Sequence, residues 1–324
     1  MHFSAEDLLD TAFAAEPLPL VELCLALAAA QRTDGPAGFG RWRRELARGL
    51  PPGARPLLEL VRPDGDNPAF LEPPERDLAA ALHAVREAGR ALPHADLARA
   101  VARTRGGDPG GWLRGLWGGD RAAWEVLDAA LRSAHASVIA PHWDAIRRSF
   151  RADVAWRGRL LAAHGIRATL AGLHPGARWS GATFEVPGPP DFEARLGGRG
   201  LTLMPSPFWT GRPLLAGLPD GSHLLIYPAL TPLPPAAADG DGTADAADGS
   251  LDALLGRTRA AVLQCLLDQR TTTDLARRLG ISLPSASEHT RTLRAAGLVT
   301  TRRDGRAVLH TVTGLGVELL RGGV

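Results

Sequence analysis

Two cysteines, Cys24 and Cys265, are all that 324 residues contain, so a disulfide framework is excluded and a reducing compartment is expected. Both sit in apolar contexts that suit small buried hydrophobes. Lysine is absent, and every basic side chain is arginine. With 37 Gly, 26 Pro and abundant Ala, that pattern fits a coding bias toward GC-rich codons, so arginine abundance alone carries little meaning. The formal net charge is only +2, too small for a general polyanion binder. The longest apolar run, residues 18–30, is interrupted by Pro19 and Glu22 and is too short to span a bilayer. Residues 1–16 lack a basic start and carry Glu6, Asp7 and Asp10, unlike a secretory signal. A cytoplasmic, soluble chain is the expectation.

Signatures of catalysis are also missing. Gly-x-Ser-x-Gly does not occur, and Trp179-Ser180-Gly181 and Pro205-Ser206-Pro207 lack a strand-to-helix context. No carboxylate pair stands out from ordinary surface charge. The glycine-rich break Gly106-Gly107-Asp108-Pro109-Gly110-Gly111 has no Lys-Ser/Thr ending and reads as a linker. His135 and His142 are seven residues apart but have no third ligand nearby, so no metal site and no cofactor are expected.

What is present is concentrated in residues 271–313. Thr271 is an N-cap with Asp274 three residues on, a short form of the capping box. Leu275, Ala276 and Leu279 recur at helical spacing, and Gly280 stands where a helix stops. Ser282 caps a second helix in which Pro284 falls in the tolerated first turn. Ala286, Leu293 and Ala296 form the expected inward stripe. Ser285, Ser287, Glu288, Arg291 and Arg294 lie largely off it. Gly297 closes the helix. A two-stranded hairpin is expected next, with Asp304-Gly305 as its turn and Arg302, Arg303 and Arg306 at its tip. Helix, turn, helix and basic hairpin suit duplex DNA: the second helix fits the major groove, and the arginines reach phosphates or a neighbouring groove. Glu288 is a candidate acceptor for cytosine N4, and Arg291 a candidate partner of guanine or phosphate. A winged helix that only packs against protein is the bland alternative. The polar helix face and basic tip favour DNA.

Asp274-Leu275-Ala276-Arg277-Arg278-Leu279-Gly280-Ile281-Ser282 resembles the first helix and turn of ArsR-type bacterial repressors. Ser285-Ala286-Ser287-Glu288-His289, through Leu293-Arg294-Ala295-Ala296-Gly297-Leu298-Val299, resembles their recognition helix and its exit. Arg303-Asp304-Gly305-Arg306 resembles their wing. The resemblance covers roughly the last quarter of the chain. It implies DNA contacts from Ser282, Pro284, Ser285, Ser287, Glu288, His289, Arg291, Arg294, Arg302, Arg303 and Arg306. Thr290 departs from it, since the family usually has a core-facing Leu there. The Cys-x-Cys of metalloid-sensing members is also missing from the first helix, so arsenic sensing at that site is not implied.

Charge is uneven in the same sense. From residue 251 on there are eleven arginines and six acids, a net of +5, leaving −3 for the remainder. A basic end beside a mildly acidic partner region fits DNA contact at one end only.

Along the rest of the chain, residues 4–15 read as a capped helix with Leu8, Leu9, Ala12 and Phe13 on one face. Residues 20–31 read as a helix apolar nearly all round, hence buried. Further helical stretches are expected at 41–50, 55–61, 75–91, 95–104, 120–136 and 137–164, with Pro141 marking a kink. After Ile166 the texture changes: 167–173, 178–186, 200–204 and 223–229 are short β-prone runs split by Gly and Pro, with Asp220-Gly221 as a turn. Residues 232–249, rich in Pro, Ala, Asp and Gly, read as a flexible acidic linker. Trp143, Trp209 and Tyr227 are weak candidates for lining a ligand pocket, with core packing the stronger reading.

The fold class expected is mainly α (α+β). A helical dimerisation or sensor domain with a small β region (1–232) is followed by a linker (233–250) and a C-terminal winged helix-turn-helix (251–324). The N-terminal part resembles the uncharacterised helical domain that precedes an ArsR-type helix-turn-helix in some actinobacterial regulators. The expected function is a sequence-specific, homodimeric DNA-binding repressor tuned by a small-molecule effector, not an enzyme. An N-terminal enzyme with the winged helix as adaptor, or a protein-interaction module, is the alternative.

Overall fold

The computed structural model describes residues 1–32, 37–91, 111–174, 176–186, 193–218, 220–230, 247–267, 269–304 and 307–320. The fold is mainly helical, with three small sheets among the described residues. The chain divides into two compact units: Met1–Gly35, Phe39–Phe150 and Leu160–Pro234 form the first, and Pro36–Gly38, Arg151–Arg159 and Pro235–Val324 the second.

In the first unit, α1 (Ala5–Leu9) is closed by a capping box in which Ser4 accepts from the Asp7 amide and Asp7 accepts from the Ser4 amide. It stops early. The stretch read as one helix over 4–15 becomes this single turn and a short strand, β1 (Ala12–Phe13). Leu9, assigned to an apolar face, is 84% exposed. The strand prevails because Ala12 and Ala14 donate their amides to the Leu201 and Leu203 carbonyls. That pairing captures backbone groups which a longer helix would have used itself.

The next helix, α2 (Pro19–Gln31), is buried without interruption from Pro19 to Ala29, as its all-round apolar sequence requires. Also in this unit are α3 (Ala37–Gly49) from Phe39 on, α4 (Leu57–Leu60), α5 (Leu78–Ala91), α6 (Gly111–Trp117) and α7 (Arg121–Ala134). Arg86 on α5 ties to Asp128 on α7 at 2.7 Å. Gly89 lies directly against the Trp124 ring, where a Cβ would overlap it. The helix expected at 95–104 and the glycine-rich break at 106–111 fall outside the described residues, except for Gly111.

The long helical run does kink near Pro141. A π-turn (His135–Ile139) and a 3-10 turn (Ala140–His142) intervene before α8 (Trp143–Ala171). Gly165, at φ 77°, breaks α8 internally, and its last turn continues to Ala171. The expectation of β structure over 167–173 is therefore corrected. Residues 167–171 are helical and 172–173 form a turn, and Leu170 and Leu173 bury into a cluster with Phe3, Phe184, Leu203, Leu225 and Tyr227. Thr169 also bonds back to the Gly165 carbonyl at 3.0 Å. Tertiary packing overrides a modest β propensity here.

A hairpin of β2 (Arg178–Ser180) and β3 (Thr183–Glu185) covers part of that cluster. Trp179 is held by its Nε1 to the Arg167 carbonyl at 2.9 Å, with the Arg167 guanidinium 4.3 Å from its ring centre. The main sheet has the order β1-β4-β6-β5, with β4 (Thr202–Ser206), β5 (Leu214–Gly217) and β6 (His223–Pro228). β1, β4 and β6 run parallel and β5 antiparallel. β5 was not anticipated. The turn expected at Asp220-Gly221 joins it to β6, with Gly221 at φ 80°.

One face of this sheet carries the Leu203–Leu225–Tyr227 cluster. The other face carries Ser206, whose hydroxyl donates to Glu22 Oε2 on α2 at 2.8 Å. Glu22 is fully buried, and burial pushes its carboxyl up to about 8, only partly opposed by that hydrogen bond. Its Oε1 has no hydrogen-bond partner among the described residues.

The second unit holds α9 (Ala247–Leu255), which begins inside the stretch read as linker, and α10 (Arg257–Cys265). Residues 231–246 lie outside the described residues. β7 (Arg270–Thr271), α11 (Thr272–Leu279), α12 (Leu283–Ala295), β8 (Val299–Asp304), β9 (Ala307–Val312) and α13 (Gly314–Leu320) complete it. The hairpin expected to be two-stranded is the outer part of a three-stranded sheet, β7-β9-β8, because Arg270 and Thr271 pair with His310 and Leu309. Residues Arg151–Arg159 of α8 belong to this unit, with Arg159 Nη2 donating to the Leu267 carbonyl at 3.4 Å. Asp153 and Arg157 in that segment form a fully buried ion pair at 3.0 Å. No described helix is long and apolar enough to cross a membrane.

Candidate nucleic-acid interface

The capping box predicted for α11 is present. Thr271 Oγ1 accepts from the Asp274 amide at 3.1 Å, and Asp274 Oδ2 accepts from the Thr271 amide at 3.3 Å. The Thr271 hydroxyl and amide, with Arg277 adding to them, hold the Asp274 carboxyl below the usual carboxylate range. Leu275 and Ala276 point inward. Gly280 adopts the left-handed conformation (φ 64°, ψ 28°) and the Ile281 amide returns to the Ala276 carbonyl. That turn aims the chain into α12.

Ser282 caps α12 by accepting from the Ser285 amide at 3.3 Å, and Pro284 sits in the first turn. The inward stripe is Ala286, Thr290 and Leu293. Ala296, expected on that stripe, is exposed. The helix ends at Ala295, and Gly297 (φ 73°) turns the chain so that Leu298 takes the inward place. Thr290, the departure from the ArsR-type pattern, is 3% exposed, and its hydroxyl lies 2.9 Å from the Ala286 carbonyl and 3.0 Å from that of Ser287. Back-bonding of this kind lets a hydroxyl occupy an apolar interior.

Pro284, Ser287, Glu288, Arg291 and Arg294 are exposed, as is Ser282. Spacings of three and four residues place Pro284, Ser287, Glu288, Arg291 and Arg294 along one outward face. Ser285 and His289 are half-buried beside it, with His289 Nε2 3.2 Å from Ser285 Oγ. This pair is occupied with itself, which distinguishes it from the residues facing outward.

The wing pairs Val299 with Val312 through to Asp304 with Ala307. Arg303 is exposed. Of Arg302 only the backbone is described, and Arg306 and Gly305 lie outside the described residues. His310 on β9 is 5% exposed, with Nδ1 3.0 Å from Thr301 Oγ1 on β8 and Nε2 2.9 Å from Thr272 Oγ1 on α11. Burial, with a contribution from Arg294, lowers its pKa, so the neutral imidazole is favoured. Sequence reasoning passed over this residue. The signal was its place two residues before Val312, on the inward side of an alternating strand.

Of the pocket candidates, Trp209 and Tyr227 are packed inside the first unit. Trp209 Nε1 donates to the Arg212 carbonyl at 2.6 Å, with Arg32 stacked 5.1 Å from its ring centre, and Tyr227 is fully buried in the core cluster. Trp143 is half-buried. His135 is half-buried and its pKa is lowered by burial. Among the described residues no three His, Cys, Asp or Glu side chains gather as a metal site.

A short capped helix, a glycine turn, a second helix with a polar outer face and a paired wing define a helix-turn-helix module. Residues 254–302 match the family model described as a helix-turn-helix domain, which supports a DNA-binding regulator. Neither the curated proteins nor the solved structures contain a match to this chain.

Proposed function

We propose that the protein is a sequence-specific transcription regulator of ArsR type, a homodimeric repressor whose C-terminal unit reads duplex DNA and whose N-terminal unit pairs the chains and binds a small-molecule effector. The observation that carries the DNA-reading part is the outward face of α12. Pro284, Ser287, Glu288 and Arg291 stand clear of the unit's own packing, while Ala286, Thr290 and Leu293 anchor the opposite face. A helix held in this way offers short polar groups and one guanidinium to base edges in a major groove. The exposure of Arg303 on the wing supports its assignment to phosphate contact.

The repressor and dimer assignments follow the resemblance to ArsR-type repressors. Such proteins read two half-sites about one helical turn apart, and an effector shifts the paired modules between two arrangements. The proposed role is regulatory and not enzymatic.

Binding of the full chain to duplex DNA from upstream of its own coding region, followed by gel shift or fluorescence anisotropy, tests the reading. Saturable binding with a steep salt dependence is expected, about one unit of log–log slope per phosphate neutralised. Equal, weak affinity for all duplexes at every salt concentration rejects it.

A further inference from the structure

The first residue of α12 is not polar. Leu283 is 52% exposed, and it is the one large apolar side chain on α11 or α12 to be so among the described residues. It is not part of a hydrophobic staple. In a hydrophobic staple the residue before the cap meets the fourth helical residue, and those places belong to Ile281 and Ala286. Ser282 performs the capping and Pro284 fixes the backbone of the first turn. Leu283 therefore takes no part in capping or stapling the helix start, and about half of its surface is open to a partner.

Its neighbours argue for a partner that comes close. Ser282 and Pro284 adjoin it in sequence, and Ser287 follows one turn later on the exposed surface. These are short side chains, so the helix start can approach a surface more closely than a collar of long residues would permit. The N-terminal residues of a recognition helix are those that meet base edges in the major groove. The apolar group displayed there is the C5-methyl of thymine.

We infer that Leu283 is a specificity-determining residue that packs on a thymine methyl in each half-site, giving the operator an obligatory thymine beside the bases read by Ser287, Glu288 and Arg291. This rests on the DNA-reading function proposed above.

The test begins with selection of a preferred site from a randomised duplex library by the full-length protein. Each thymine of that site is then replaced singly by deoxyuridine, which removes only the methyl group. For the natural protein, one thymine per half-site should lose about four-fold in affinity, the worth of one buried methyl. Leu283→Ala should bind more weakly and be indifferent to that replacement, while Arg303→Ala should bind more weakly and keep the full sensitivity. Circular dichroism and oligomeric state should match across the three proteins, since both positions are exposed. Uniform indifference to deoxyuridine in the natural protein overturns the inference, as does undiminished sensitivity in Leu283→Ala. A changed oligomeric state in Leu283→Ala with sensitivity intact assigns the side chain to a protein interface instead. A library from which no site is enriched defeats the DNA-reading function itself, and the inference with it.

Discussion

His310 Nε2 lies 2.9 Å from Thr272 Oγ1, which fastens the wing to the start of the first helix of the helix-turn-helix. The same ring reaches Thr301 through Nδ1 at 3.0 Å, so one side chain joins β8, β9 and α11. Replacing it leaves two threonine hydroxyls without that partner. His310→Ala is expected to destabilise the C-terminal unit by about 1–3 kcal/mol, the usual cost of a cavity with orphaned polar groups. Chemical denaturation of the full chain measures this. A neutral outcome would show the bridge to be dispensable. Because the folded-state pKa is depressed, His310 contributes stability that is present above its unfolded value of about 6.5 and lost as pH falls below it. His310→Ala should therefore show a weaker loss of stability on acidification.

Glu22 has the opposite sign. Its folded-state pKa is about 8 against an ordinary 4.5, so the fold favours the protonated acid. Stability is full below about pH 4.5 and declines as pH rises toward 8. Glu22→Gln keeps the shape of the neutral acid and removes the titration. The variant should be more stable than the natural protein at pH 8.5, by an amount on the order of a few kcal/mol, and nearly equal at pH 5. Thermal melts at the two pH values decide it. Glu72, whose carboxyl burial raises to about 7, leaves a residual slope in the variant. Equal melting temperatures of the two proteins at pH 8.5 would mean that Glu22 is charged in the fold.

Two glycines of the second unit should respond differently to alanine. At Gly280 a Cβ meets nothing within 4 Å, and only the left-handed backbone resists it. Gly280→Ala should cost about 1–2 kcal/mol, and Gly280→Asn less. At Gly316 on α13 a Cβ would overlap the Leu298 carbonyl and lie 2.6 Å from Val312 Cγ2. The first obstacle is backbone, so it cannot swing aside. Gly316→Ala should cost more than Gly280→Ala, and the reverse ranking in urea titrations would contradict the packing described.

Removing Arg302, Arg303 and Arg306 together is expected to weaken binding to every DNA sequence and to lower the salt slope by roughly one unit for each phosphate no longer neutralised. Glu288→Ala is expected to alter base preference at one position more than overall affinity. Selection from a randomised library separates the two effects. An unchanged preference in the Glu288 variant would remove that residue from the reading surface.

Much of the C-terminal unit was legible because its signals are local. A capping box, a left-handed glycine, an N-cap serine and a strand pairing each depend on a few consecutive residues. The features that escaped depend on distant ones. β7 is only Arg270 and Thr271, and it becomes a strand by pairing with residues some forty positions later. β1 likewise exists through Thr202 and Leu203. Ala296 was placed inward by extrapolating helical spacing one residue past the true helix end. Thr290 fills an inward position by bonding its hydroxyl to its own helix. Leu283, the exposed apolar residue, could not be separated from core leucines by type alone.

The unit that carries the helix-turn-helix is not a contiguous length of chain. Nine residues of α8, Arg151–Arg159, belong to it although some ninety positions separate them from α9. A fragment cut anywhere in the Pro- and Ala-rich stretch after Pro232 would be missing a structural stave, and the Leu267 carbonyl would lose its arginine. Behaviour of such an amputated piece would report the loss of that stave as much as the properties of the helix-turn-helix.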